Sequence, residues 1–224
     1  MEHKRLTLFA GHYGSGKTNI AVNYAMHLAA EGKKVCIADL DIVNPYFRTK
    51  DSAKDLEEAG VTLISPKFAN TNVDLPALPA EAYRLVQDKS IYGVMDIGGD
   101  DRGAYALGRY VPAIKEEQNY RMVFVANCCR PLTATAEDAM EVMREIEAAC
   151  GLCFTDIINN SNLGPETTAE TVMDSLAYIQ ELSRLSGLPV FAHTAEQAVA
   201  RQLSGLENVF PLRLQEKYFD LPKI

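Results

Sequence analysis

Short apolar runs alternate with stretches of helical periodicity along most of the chain. The runs predict strands at 6–10, 35–39, 61–65, 92–97, 122–127, 156–159 and 189–192. Between several of them the period lengthens to that of a helix. One helix is expected over 18–31, with Ile20, Tyr24 and Leu28 on one face and Gly32 as its stop. A second is expected over 135–149, closed by Gly151, and a third over 168–186. In the third, Val172, Leu176, Ile179 and Leu182 form the buried stripe and Gly187 follows it. Strands alternating with helices imply right-handed crossovers and a parallel sheet covered on both faces.

The expected fold class is therefore α/β, three layers deep, with a mostly parallel sheet of about seven strands flanked by helices. No repeat or low-complexity linker interrupts residues 1–224, which read as a single domain. The least regular part, 66–79, carries three prolines and the run Asn70-Thr71-Asn72. It reads as a long loop on the ligand-bearing edge or as a partner surface.

Charge narrows the partners. A net charge of −8, with no basic run beyond Lys33-Lys34, argues against nucleic acid. There is no apolar run of membrane-spanning length and no signal-peptide pattern, so no membrane is expected and the location reads as cytoplasmic. Five cysteines, an odd number, fit a reducing compartment.

The chemistry starts at Gly11-His12-Tyr13-Gly14-Ser15-Gly16-Lys17-Thr18, a full match to G-x-x-x-x-G-K-[ST] placed between a strand and an amphipathic helix. Gly11, Gly14, Ser15 and Gly16 would turn backbone N–H groups onto a polyphosphate, aided by the helix N-terminus. Lys17 would reach the outer phosphates, and the Thr18 hydroxyl would ligate Mg²⁺. The bland alternative is a glycine-rich turn that precedes a helix. The P-loop NTPase reading explains more of the residues.

A phosphate cradle alone hydrolyses nothing; carboxylates must fix a metal and orient water. Asp39-Leu40-Asp41 ends one apolar strand, and Asp96-Ile97-Gly98-Gly99 ends another. In an open parallel sheet such strand ends converge on the ligand. Each acid could also cap a turn. The paired glycines would let that loop move when a γ-phosphate arrives.

With these motifs in place, the chain resembles the MinD/ParA/CobQ group of P-loop NTPases, from Leu6 to about Val190. Within it, the segments G-H-Y-G-S-G-K-T and D-I-V-N-P-Y-F-R-T-K resemble uncharacterised ParA-like ATP-binding proteins. The resemblance implies ATP and Mg²⁺ as cofactors. It makes Thr18, Asp39 and Asp96 the metal residues, with Asp96 the Walker B acid, and gives Asp41 the attacking water. The chain departs from the group where a second lysine, which bridges a nucleotide sandwich, would stand; His12 and Tyr13 occupy that region. A homodimer stays open.

For the base, strand 156–159 runs into Asn159-Asn160-Ser161-Asn162. GTP-binding relatives use N-K-x-D here, so Asn160 replaces the lysine and Asn162 the aspartate. An amide cannot accept two hydrogen bonds from guanine as a carboxylate does. By resemblance Asn159 would read adenine; the alternative is an Asn-rich turn. Arg48, Arg102 and Arg130 are candidate neutralisers of transition-state charge. His193 is a candidate for contact with the base. Cys128-Cys129 and Cys150-Gly151-Leu152-Cys153 suggest a thiolate metal site, but the first pair follows one strand and the second precedes the next, at opposite sheet edges.

Three functions remain from this reading. The first is a slow Mg²⁺-dependent ATPase acting as a switch for a protein partner. The second is an ATP-dependent biosynthetic ligase of the CobQ kind, with a small-molecule substrate near 70–79. The third is a GTP-dependent metallochaperone.

Overall fold

The computed structural model describes residues 3–40, 49–65, 80–99 and 101–214, and of residues 50, 51, 80, 101 and 102 the backbone only. The first half of the chain contributes β1 (Leu6–Ala10), α1 (Lys17–Ala30), β2 (Val35–Leu40), α2 (Ala53–Glu58), β3 (Thr62–Ile64), α3 (Arg84–Gln87) and β4 (Tyr92–Ile97). There follow α4 (Asp101–Gly108), α5 (Val111–Glu117), β5 (Tyr120–Ala126), α6 (Ala136–Cys150) and β6 (Asp156–Asn159). The last elements are α7 (Ala169–Asp174), α8 (Leu176–Ser186), β7 (Val190–Glu196), α9 (Gln197–Ala200) and β8 (Val209–Leu212).

Among the described residues the strands form one sheet in the order β3-β2-β4-β1-β5-β6-β7-β8. Every ladder in it is parallel. The sheet is thus wholly parallel and eight-stranded, one strand more than the periodicity suggests. The added strand, β8, has four residues and contains Pro211. A proline is tolerated there because β8 is an edge strand, and it hides the strand from any pattern reading.

Both faces of the sheet are dry. Leu6, Leu8, Ala10, Met95 and Phe124 belong to one core with residues of α4, α5, α6 and α8. Phe9, Ile37, Val94, Val123 and Val125 belong to a second with α1 and α2. The period of two along β1 thus feeds two cores at once. Tyr24 stands in an aromatic group with Phe9, Phe191 and Phe210, at centroid separations of 5.5, 6.3 and 6.4 Å.

The helix expected over 168–186 is two helices. Ser175 breaks it: its hydroxyl donates to the Val172 carbonyl at 2.6 Å and accepts from Asn159 Nδ2 at 2.8 Å. A serine bonded back to its own turn competes with the helical ladder. Gly151 and Gly187 take left-handed conformations as the expected stops, and Thr135 lies outside the second helix as its N-cap, accepting from Asp138 N. Among the described residues no helix is long and apolar enough to cross a membrane.

The chain leaves β1 for β2 on one side and returns through β4 to β5 on the other. That reversal opens a crevice at the carboxyl end of β1, where ligands of such sheets collect. Asp41, Arg48, the Asn70-Thr71-Asn72 loop and the side chain of Arg102 lie outside the described residues.

Candidate functional site

The segment after β1 is shaped by glycine. Gly11, Gly14 and Gly16 have φ of 153°, 78° and 91°, all values that strain a residue bearing Cβ. Gly16 is also the N-cap of α1, with no side-chain cap, so the first amides of the helix are left to face a ligand. Ser15 N donates to His12 O at 3.1 Å and closes the loop into a ring. Lys17 and Thr18 are buried, and Lys17 Nζ donates to His12 O at 3.3 Å, folded over that ring.

Two neighbouring loops clamp the cradle. Asn160 Nδ2, at the end of β6, donates to Ser15 O at 2.6 Å, and Asn160 Oδ1 accepts from Thr194 Oγ1 at 2.6 Å. The same amide occupies the space a side chain on Gly16 would need. Arg130, beyond β5, donates through Nε to Gly14 O at 3.0 Å. Sequence reasoning placed Asn160 only by its absence of charge and missed its role as a strap. The signal was an amide at the N-K-x-D lysine position, but the partner carbonyl lies 145 residues away.

The acids stand beside the cradle. Asp39 and Asp96 are register partners on the adjacent strands β2 and β4, and both are essentially inaccessible to solvent. Thr49 Oγ1 donates to Asp96 Oδ2 at 3.1 Å. Two buried carboxylates on neighbouring strands repel one another, and a cation held beside them would offset that repulsion. Gly99 brings the loop after β4 against the cradle: a Cβ there would lie 2.7 Å from Tyr13 N and 2.9 Å from Lys17 Nζ. Lysine, cradle and the Asp96 loop are thus in one place. The buried Ser15 hydroxyl has no hydrogen-bond partner among the described residues. Together these features suit a polyphosphate with a hard cation: a glycine-shaped loop at a helix N-terminus, an ammonium, a hydroxyl at Thr18 and two carboxylates.

The expected base residue is engaged differently from the expectation. Asn159 is buried; its Nδ2 bonds Ser175 Oγ at 2.8 Å and His193 Nδ1 at 3.3 Å. Its Oδ1 accepts from Ser161 N at 3.2 Å. The amide thus faces Ser175 and His193 inside the protein, and the side chain holds the 159–162 turn. His193 lies opposite Asn159 in the β6–β7 ladder, and burial pushes its pKa down. The cysteines are separated as the sheet polarity predicts: Cys128 and Cys129 follow β5, whereas Cys150 and Cys153 precede β6.

The chain matches no protein-family model and no curated protein sequence. It is similar in fold to solved structures. The cell division protein FtsY from Thermotoga maritima has TM-score 0.57 and 18% identity, over 85% of this chain and 61% of that one. FtsY from Mycoplasma mycoides has TM-score 0.54 and 16% identity, over 87% and 61%. The signal recognition particle 54 kDa protein from Aeropyrum pernix K1, solved in complex with GDP, has TM-score 0.54 and 18% identity, over 86% and 41%. The chain spans about three fifths of the length of these FtsY chains and about two fifths of the 54 kDa protein. At such identities the likeness is one of fold. The chain has the three-layer α/β fold of the P-loop NTPases, with a wholly parallel sheet among the described residues.

Proposed function

We propose that this chain is a Mg²⁺-dependent ATP-binding switch that hydrolyses its nucleotide slowly and reports its state to a protein partner. The observation that carries the reading is the approach of Gly99 to Lys17 Nζ and Tyr13 N. It couples the loop after the Asp96 strand to the place where a γ-phosphate would end, as a switch requires.

In this reading Gly11, Gly14, Ser15 and Gly16 supply the amides, and Lys17 the charge that draws the outer phosphates. Thr18, Asp39 and Asp96 would hold magnesium, which when bound neutralises phosphate charge. Asp41 orients the attacking water. Arg130, held over Gly14 O, is the arginine available at the cradle among the described residues. Asn159 acts on the base indirectly, by fixing the turn that carries Asn160 and Asn162. ATP is preferred because Asn162 offers an amide where guanine would need a carboxylate. The partner reading draws support from exposed apolar side chains in segments bordering the cradle, Tyr13 at 54%, Leu132 at 60% and Leu163 at 50%.

Calorimetry tests the site. Lys17→Ala should abolish ATP binding, and GTP should bind the unaltered chain more weakly than ATP. Asp41→Ala should keep binding and lose hydrolysis. Unchanged ATP affinity in Lys17→Ala would overturn the assignment of the cradle. Turnover that strictly requires an added carboxylate substrate would replace the switch with a ligase.

A further inference from the structure

At the end of α1 remote from the cradle, three side chains with metal-binding chemistry meet. His3, just before β1, points Nε2 at Glu31, 3.0 Å from Oε2 and 3.2 Å from Oε1. His27, one helical turn before Glu31, places Nε2 3.3 Å from Oε1. One ligand atom from each residue falls in a group whose members all lie within 4.8 Å of one another. We propose that His3, His27 and Glu31 form a binding site for a divalent transition-metal ion, best matched to Zn²⁺, separate from the nucleotide cradle.

Three observations fit a metal site. The first is spacing. Zinc bound at about 2.0–2.1 Å to tetrahedral nitrogen and oxygen ligands sets those ligands roughly 3.4 Å apart. The His3–Glu31 and Glu31–His27 separations are near that edge length. A small outward shift of flexible side chains then admits an ion.

The second is what stands behind the first ligand. His3 Nδ1 lies 3.2 Å from the phenol oxygen of Tyr24, a residue fixed in the buried aromatic group. A ligating histidine commonly donates its second ring N–H to such an acceptor, which sets the tautomer and leaves the Nε2 lone pair for a metal. Tyr24 is in the right place to do so. The third is access. His3 is nearly covered, whereas Glu31 and His27 keep 39% and 44% of their side chains exposed. That exposure on the side of His27 and Glu31 gives an ion its path from solvent. Two imidazoles with one carboxylate suit a borderline ion such as Zn²⁺ better than Mg²⁺ or Ca²⁺, which prefer oxygen. Helix α1 spans 14 residues, so roughly 20 Å separate this site from the cradle.

The test uses the full chain, stripped with chelator and titrated with Zn²⁺ against a constant millimolar Mg²⁺ background, which competes for the hard carboxylates Asp39 and Asp96. One equivalent should bind. His27→Ala, an exposed change that leaves the fold intact, should weaken binding at least tenfold. Tyr24→Phe keeps all three ligands and should weaken it about tenfold through loss of the supporting acceptor. Co²⁺ in place of Zn²⁺ should give visible d–d bands of a four-coordinate nitrogen and oxygen site, without the near-ultraviolet charge-transfer band of thiolates. Binding that persists in the His3→Ala/His27→Ala double variant would overturn the proposal, as would a thiolate band or no uptake by the unaltered chain. The outcome is independent of Lys17→Ala, so failure of the nucleotide reading and failure of this one are separable.

Discussion

Asn160→Ala removes a buried strap while leaving the identity of every residue expected to contact phosphate unchanged. Two hydrogen bonds at 2.6 Å are lost, one to Ser15 O and one from Thr194 Oγ1. The Thr194 hydroxyl keeps an alternative, since it also lies 3.1 Å from Asn159 O. Ser15 O loses the partner that the amide provides. A buried hydrogen bond contributes about 0.5–1.5 kcal/mol net, and an orphaned buried polar group costs about 1–3 kcal/mol. The expected loss is therefore about 2 kcal/mol, and about 2–4 °C per kcal/mol for a chain of this size gives a Tm lower by roughly 5 °C. Because the strap orders the cradle, ATP affinity should fall about tenfold, or ~1.4 kcal/mol. Asn160→Asp should be worse than alanine, since it sets a carboxylate against a carbonyl with no donor between them. Differential scanning fluorimetry and calorimetry on the three proteins measure both effects. An alanine variant with unchanged Tm and Kd, or an aspartate variant more stable than alanine, would refute the strap.

Three further outcomes follow from the same contacts. Gly99→Ala forces a methyl against the Tyr13 amide at 2.7 Å, where backbone cannot yield; hydrolysis should drop at least tenfold while far-UV circular dichroism stays unchanged. His193 has its pKa lowered by burial, so the unfolded chain binds the proton more readily than the folded one. Its contribution is complete above the unfolded value of about 6.5 and is lost as pH falls through the lower folded one, so urea midpoints should decline on acidification, less steeply in His193→Gln. The Cys36 thiol is buried and pushed up to about 11 by desolvation, while Cys153 is exposed. Maleimide at neutral pH should label Cys153 in the native chain and reach Cys36 only after unfolding, as mass spectrometry of peptides would record.

Much of the site was legible locally. A cradle of eight consecutive residues, a strand before it and a helix after it are all encoded by neighbours in the chain. The same holds for helix ends marked by Thr135, Gly151 and Gly187, because a cap is a local device. The split of the 168–186 helix was not legible, since its cause includes a bond from Asn159 on a strand to Ser175. Nor was the inward contact of Asn159, which depends on what β7 and the α7–α8 junction bring beside it.

By itself, then, the order of apolar and polar residues determined the layers and the parallel sheet, and a glycine-rich motif marked the candidate phosphate-binding segment. These follow from periodicity and from backbone preferences that act over a few residues. Only the tertiary structure decided which acids become register partners, which amide braces the cradle and that two histidines and a glutamate converge at the far end of α1. Those are meetings between residues distant in the chain. They depend on strand order and crossover, which bring together side chains that no local pattern relates.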